Sequence, residues 1–366
     1  METKGTIKQY TIWKQLRRNK FAMAGLICIV LCFFIAVFAY WLAPDSSTNA
    51  DLQCVEIQAK PPGFTQQFLK IPLNSQVPST HFLMQWWNGH APTYKLVPIV
   101  GYSVKPDSIV VQQYIDETLS MPKTYPLSAF SSSNIETYIV TKTFYLGTDK
   151  FGRDILSRLL IGTRVSLSVG FVAVLISVLL GVFLGAIAGY YRGRLDAIIV
   201  WLINVTWSIP TLLLVFALTM AMGKGLLQIF IAIGLTMWVG VARLVRGQVL
   251  AIRTQEYVLA ARALGYKDSR IIWRHILPNI TGPLLVVAAG NFATAIIIEA
   301  GLSFLGIGVQ APQPSWGLMI KENYQFIITN NPMLAIVPGL AIMLLVLSFN
   351  LLGNGLRDAT DVKNDL

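Results

Sequence analysis

Residues 165–190 read VSLSVGFVAVLISVLLGVFLGAIAGY, an apolar run without a single charged side chain. At 1.5 Å per residue, a helix over this run spans about 39 Å, enough to cross the hydrocarbon core of a bilayer. A water-soluble helix of that length would carry a polar face, and this one carries none. Gly181, Gly185 and Gly189 recur at every fourth position, the spacing by which helices approach closely in lipid. The run therefore predicts a transmembrane helix with a packing stripe.

Comparable runs lie at about 21–43, 197–221, 226–242, 283–305 and 333–352. With the run at 165–190 they predict an all-α polytopic membrane protein of six transmembrane helices. The first run exceeds a signal-peptide core and no small-residue cleavage site follows it before Pro44, so it reads as a retained helix. Pro210 should bend the third helix, as a structural kink or as part of a gate. Hydrophobic residues make up 54% of the 366 and charged residues only 13%, too little polar surface to coat a soluble globule of this size.

The net charge of +11 is not a nucleic-acid footprint. Lys4, Lys8, Lys14, Arg17, Arg18 and Lys20 precede the first run, Arg192 and Arg194 follow the second, and Arg243, Arg246, Arg253, Arg262, Lys267 and Arg270 lie between the fourth and fifth. Basic residues flanking apolar runs mark cytoplasmic segments. The tails at 1–20 and 353–366 are accordingly expected in the cytoplasm, and nucleic-acid binding is excluded by the lack of any basic-aromatic motif.

The segment 44–144, between the first and second helices, is expected outside the cytoplasm. It is near neutral, far longer than an ordinary connection, and rich in β-branched and aromatic residues, which predicts a strand-containing lobe. Trp86, Trp87, Phe82 and Tyr94 are its candidate core. His81 and His90 lack the additional ligands of a metal site. Cys28, Cys32 and Cys54 do not make a disulfide framework.

No phosphate loop, nucleophile elbow or metal-binding helix motif is present, so no catalytic, cofactor or metal site is expected. The spans are almost free of ionisable residues, which disfavours an ion-coupled carrier. Glu299 is the clear exception; it is a candidate to bind substrate, to pair with Lys224, or to serve packing. With Pro210 and Ser303 it makes up the candidate pathway or gate set.

The cytoplasmic segment 243–280 is the most informative. It reads Glu256-Tyr-Val-Leu-Ala260-Ala261-Arg-Ala-Leu-Gly265, then Tyr-Lys-Asp268-Ser-Arg270-Ile-Ile-Trp-Arg274-His275-Ile-Leu277-Pro278-Asn. This predicts a helix ended at Gly265 and a short second helix capped by Asp268 or Ser269. The Ala-Ala pair, the glycine four residues on and the terminal Leu-Pro resemble the coupling loop of ABC importer permeases. Glu256 before the alanines and His275 resemble its oligopeptide/dipeptide/nickel branch. The same branch is resembled by Leu146-Gly147-Thr-Asp149-Lys-Phe-Gly152-Arg153-Asp154 with Arg158 and Arg164, by Glu299-Ala-Gly-Leu-Ser303-Phe-Leu-Gly306, and by Pro314-Ser-Trp-Gly317.

The resemblance covers the chain from Tyr145 onward and implies a type I importer permease, C-type subunit, with a core at 145–352. It further implies a bacterial inner-membrane location in contact with lipid, a homologous permease partner, two ATPase subunits that use ATP and Mg, and an extracytoplasmic binding protein delivering oligopeptides or dipeptides. The chain itself would bind no cofactor. A membrane sensor or assembly protein with a ligand-binding outer lobe, or an ion-coupled carrier, is the alternative.

Overall fold

Lipid offers a backbone no hydrogen bonds, so each spanning segment must satisfy its own N–H and C=O groups, and helices do so locally. The computed structural model describes residues 13–73, 82–130, 134–223, 225–328 and 331–360. Lys4, Lys8, His81, Lys224 and the end of the C-terminal tail lie outside them. Among the described residues, five helices are long and apolar enough to span: α1 (Lys20–Val37), α2 (Ile155–Tyr191), α5 (Leu226–Ile252), α7 (Thr281–Leu305) and α9 (Met333–Thr360). Helices α3 (Gly193–Trp207) and α4 (Thr211–Met222) form a pair bent by 93° across residues 208–210. The shorter helices include α6 (Glu256–Ala263) and α8 (Trp316–Asn323).

Three boundaries differ from those read in the sequence. Helix α2 begins ten residues before 165, because Asp154 accepts the Ser157 N–H at 2.9 Å in the N-cap manner and sets the first turn there. Helix α5 runs past 242 to Ile252: its last turns carry Arg243 and Arg246, which end the apolar run but not the helix. The run at 197–221 is two helices. Pro210 disfavours a helical Ile209 and is itself extended (φ −53°, ψ 126°). The Ser208 hydroxyl satisfies the Val205 carbonyl at 2.8 Å at the break.

The chain forms two compact units, one of Met1–Phe33, Ser166–Val309 and Ile342–Leu366, the other of Phe34–Val165 and Gln310–Ala341. In the first, the glycine stripe of α2 meets α5. A Cβ on Gly181 would lie 2.4 Å from the Val241 Cβ, and one on Gly185 2.5 Å from the Ala242 carbonyl oxygen. Around this seam Val169, Ala173, Ile229, Ile233, Ala295 and Leu302 are buried together.

The second unit contains a five-stranded sheet: β1 (Phe64–Pro72), β2 (Tyr94–Val104), β3 (Ser108–Tyr114), β4 (Ser120–Pro126) and β5 (Ile139–Phe144), in the order β4-β3-β2-β1-β5. All pairs are antiparallel, with Leu69 opposite Val97 and Phe68 opposite Val140. Strand alternation sends Leu69, Val97, Ile99, Ile109 and Val111 to one core with Phe130 and Ile135, and Phe68, Tyr114 and Phe144 to another with Cys54 and Ile57. The expected tryptophan core is therefore wrong. Trp87 is 54% exposed, Trp86 and Tyr94 are only partly buried, and the Phe82 side chain lies outside the described set. The aliphatic period-two residues fill the lobe instead.

Gly185→Val should lower the stability of the detergent-purified chain by about 1–3 kcal/mol, as expected for overpacking. A drop in melting temperature would register it. Gly240→Ala, on α5 where a Cβ meets nothing within 4 Å, should leave the melting temperature unchanged or slightly higher.

Candidate functional site

The segment after α5 is held by a buried seam. Val258 and Ala261 of α6 face inward with Ile271, Ile272, Ile276 and Ile280, and they pack against Ala186 and Tyr190 of α2 and Val241, Val245 and Val249 of α5. Helix α6 ends in a Schellman motif. Gly265 N–H donates to the Arg262 carbonyl at 2.9 Å and Tyr266 N–H to the Ala261 carbonyl at 3.2 Å. Gly265 lies at φ +76°, where a side chain is strained. Beyond it the chain makes a short α-turn (Asp268–Ile271), a π-turn (Ile272–Ile276) and a 3₁₀ turn (Leu277–Asn279).

Asp268 does not cap this second helix. Its carboxylate accepts the Tyr190 hydroxyl at 2.5 Å instead. Tyr190 is a hub: the Arg262 guanidinium sits 5.2 Å from its ring centroid, and Arg253 donates to its carbonyl at 2.7 Å. Arg246 grips Asp196 through two hydrogen bonds, 2.5 and 2.8 Å long. His275 stacks on Tyr266 at 6.1 Å, and Arg270 lies over the same Tyr266 ring at 4.4 Å.

The opposite face is bare. Leu259, Leu264 and Trp273 are exposed, Leu264 and Trp273 by 73% and 70%, among exposed Glu256, Ala260, Arg270, Arg274 and Pro278, while Leu277 is partly buried. The segment is thus seated on one side and presents large apolar side chains among charged ones on the other.

The turn leading into α2 gathers the second group of sequence candidates. Gly147 and Gly152 have φ of +81° and +72°, and a Cβ on either would collide with the backbone at Lys60 or Cys54. Asp149 accepts the N–H groups of Phe151 and Arg153 at 2.8 and 3.0 Å and the Arg153 Nε at 2.6 Å. Arg153 also donates to Asp51 at 3.1 Å and Glu322 at 2.7 Å. Arg158 lies 3.5 Å from Glu322 and 3.8 Å from Asp149, and both arginine side chains are 1% exposed. Burial opposes the charge on Arg153, yet the carboxylates of Asp149, Glu322 and Asp51 outweigh it and raise its pKa. Arg164 stands apart from this cluster, donating to the Ala36 and Val37 carbonyls at 2.9 and 3.2 Å, the free carbonyls at the end of α1.

Residues 181–363 match the family model of the binding-protein-dependent transport system inner membrane component. Residues 10–62 match that of the N-terminal TM domain of oligopeptide transport permease C. The chain belongs to this permease family, in its oligopeptide and dipeptide C-type branch. Among its relatives, the dipeptide transport system permease protein DppC of Alkalihalophilus pseudofirmus is 45% identical over 60% of this chain and 72% of its own length. DppC of Bacillus subtilis is 40% identical over 73% and 78%. The oligopeptide transport system permease protein OppC of Bacillus subtilis is 43% identical over 61% and 73%. The permease is a non-catalytic, multi-pass component of the inner membrane.

In the permease, Glu299 and Ser303 are buried and joined. Ser303 Oγ donates to Glu299 Oε1 at 2.7 Å and accepts the Val309 N–H at 3.0 Å, which ties the turn after α7 to the helix. Sequence reasoning missed Asp51 and Glu322, because charge partners far apart in the chain leave no local pattern. It also missed Asn291, whose amide Nδ2 is buried without a hydrogen-bond partner among the described residues. Asn291 borders a cavity of about 150 Å³ with Thr206, Thr236 and Thr294, beside the α3–α4 bend.

Arg153→Met should cost about 3–5 kcal/mol, because it leaves buried carboxylates uncompensated. Denaturation of the purified permease should show the loss. Adding Glu322→Gln should recover part of it, since one uncompensated charge is then removed.

Proposed function

We propose that the permease forms half of the translocation pathway of an ATP-driven importer of oligopeptides or dipeptides, and that residues 243–280 couple it to ATPase subunits. The observation that carries this is the segment from Glu256 to Pro278, seated on Tyr190 and the α5 valines on one side and presenting Leu259, Leu264 and Trp273 on the other. A partner that grips the exposed face moves α2 and α5 with it, which is how a local contact becomes a change in the spans. The peptide cargo is supported by the names of the relatives. The remaining partners in this reading are a homologous permease, two ATPase subunits using ATP and Mg, and an extracytoplasmic binding protein.

In the same reading the α3–α4 pair counts as one bent span, giving six, with both termini cytoplasmic and the sheet-bearing lobe outside. The pathway runs past the bend at Pro210, where the Asn291 cavity offers polar groups at mid-span. Glu299 and Ser303 act there through the turn they hold rather than by touching cargo.

Gly265→Val should leave the complex assembled and hydrolysing ATP, while peptide uptake falls at least tenfold. The left-handed position resists a β-branched residue by roughly 1–2 kcal/mol and distorts the end of α6. Uptake at the unmodified rate by that variant would remove the coupling role. For topology, a chain stripped of its native cysteines should react with an impermeant thiol reagent in intact cells through Ser103→Cys on β2. The same chain carrying Lys14→Cys or Tyr266→Cys should not react; the reverse pattern would invert the permease in the membrane.

A further inference from the structure

Strand β5 is an edge of the sheet, and its half-buried Lys142 lies on the side of two cavities. Two adjoining cavities, of about 280 and 350 Å³, share four wall residues, Pro44, Asp45, Leu52 and Lys142. Asp154 lies in the wall of the first. Both carboxylates are buried, Asp45 at 5% and Asp154 at 6% exposure. They are linked through Ser157, whose Oγ accepts the Asp45 N–H at 2.8 Å and donates to the Asp154 carboxylate.

The charges in this cleft are incompletely matched. Asp45 accepts the N–H groups of Ser47 at 3.0 Å and Leu52 at 3.4 Å, and Asp154 accepts that of Ser157. Neither forms a salt bridge with a described residue, and the Lys142 ammonium forms neither a hydrogen bond nor a salt bridge with one. Burial lowers the Lys142 pKa, with Asp45 and Asp154 opposing and Lys70 adding to the drop. Burial likewise raises that of Asp154. Each group is therefore short of an opposite charge at close range, which a fixed protein dipole does not supply.

The remaining walls set the rest of the ligand. Ile57, Phe68, Leu96 and Phe144 make one side of the first cavity apolar. The volumes stand at the lower end of small-molecule sites, room for one or two amino-acid residues.

We propose that this cleft is a binding site for a small zwitterion of the amino-acid or dipeptide class. The ligand carboxylate meets Lys142, its ammonium meets Asp154 and Asp45, and an apolar side chain lies against Phe68, Leu96 and Phe144. The ligand class follows from the cleft's own charges and not from the cargo proposed above, so the two readings fail separately.

The test is calorimetric titration of the full-length permease in detergent with leucyl-leucine, N-acetyl-leucyl-leucine and leucyl-leucine amide. The free dipeptide should bind, and each blocked derivative should bind at least tenfold more weakly. Lys142→Met should weaken leucyl-leucine at least tenfold. Leu96→Trp, which fills the apolar side without touching a charge, should do the same, and Lys95→Met, at an exposed lysine of β2, should not. Melting curves confirm that each variant is folded, and Leu96→Trp decides the matter if Lys142→Met is not. No binding at millimolar dipeptide, equal binding of the blocked forms, or binding unchanged in both cleft variants overturns the site. The last outcome would place the dipeptide elsewhere, as in the spans.

Discussion

The close approach of α2 to α5 is the constraint on which the membrane-embedded unit depends. Lipid tails are as apolar as leucine, so hydrophobic burial gives two spans little reason to associate, and contact depends on how near their backbones come. Gly181, Gly185 and Gly189 remove the side chains that would hold them apart. The Val241–Val249 face of α5 then sits where their Cβ atoms would be. That seam also fixes what lies at its end. It brings Tyr190 beside Arg253 and the segment from Glu256 to Pro278, and the α3 carboxylate of Asp196 onto Arg246 of α5. The seating of that segment is thus an extension of helix packing.

The second unit is specified differently, by charge. Asp51, Asp149, Arg153, Arg158 and Glu322 bring three carboxylates and two guanidinium groups together from three distant parts of the chain. Burying such a set costs more desolvation than an apolar core of the same volume, and its net contribution to stability is small. What it supplies is discrimination. The turn at 147–154 and helix α8 are held in the arrangement that pairs Arg153 with all three carboxylates and brings Arg158 within 3.5 Å of Glu322, and a register error on either strands a buried ion. The collisions that a Cβ would cause at Gly147 and Gly152 narrow the turn to the same arrangement.

The spans and the segment from Glu256 to Pro278 were legible in the sequence because their signals are local: run length, a four-residue glycine period, and a glycine where a helix must stop. The end of α5 was not, since a drop in hydropathy at Arg243 marks the end of the lipid and not the end of hydrogen bonding. The lobe was legible as strands but not in its core. Tryptophans suggest burial by size, yet Trp87 covers Arg164 with its ring 4.5 Å from the guanidinium and stays largely exposed. The alternation of Leu69, Val97, Ile99, Ile109 and Val111 was the better signal. Asp268 illustrates the same limit. Its place at a helix start is visible in the sequence, but the tyrosine that claims its carboxylate is 78 residues away.

Polar residues within the spans bear on where a pathway is sought. Thr206, Thr219, Thr236, Thr294 and Ser348 each return their hydroxyl proton to a carbonyl of their own helix, at 2.6–2.9 Å. A hydroxyl so occupied is tolerated in lipid without any ligand. Glu299 is answered within one helical turn by Ser303, and Ser303 in turn holds Val309. The pair thereby fastens the turn after α7 to the helix. Asn291 differs because its Nδ2 finds no partner, whereas Asn323 of α8 donates to the Met319 carbonyl one turn back at 2.8 Å. Asn291 lines a cavity of mixed polar and apolar walls beside the α3–α4 bend. Among the described span residues Asn291 Nδ2 and Ser166 Oγ are both buried without a hydrogen-bond partner, and of the two only Asn291 lines that cavity.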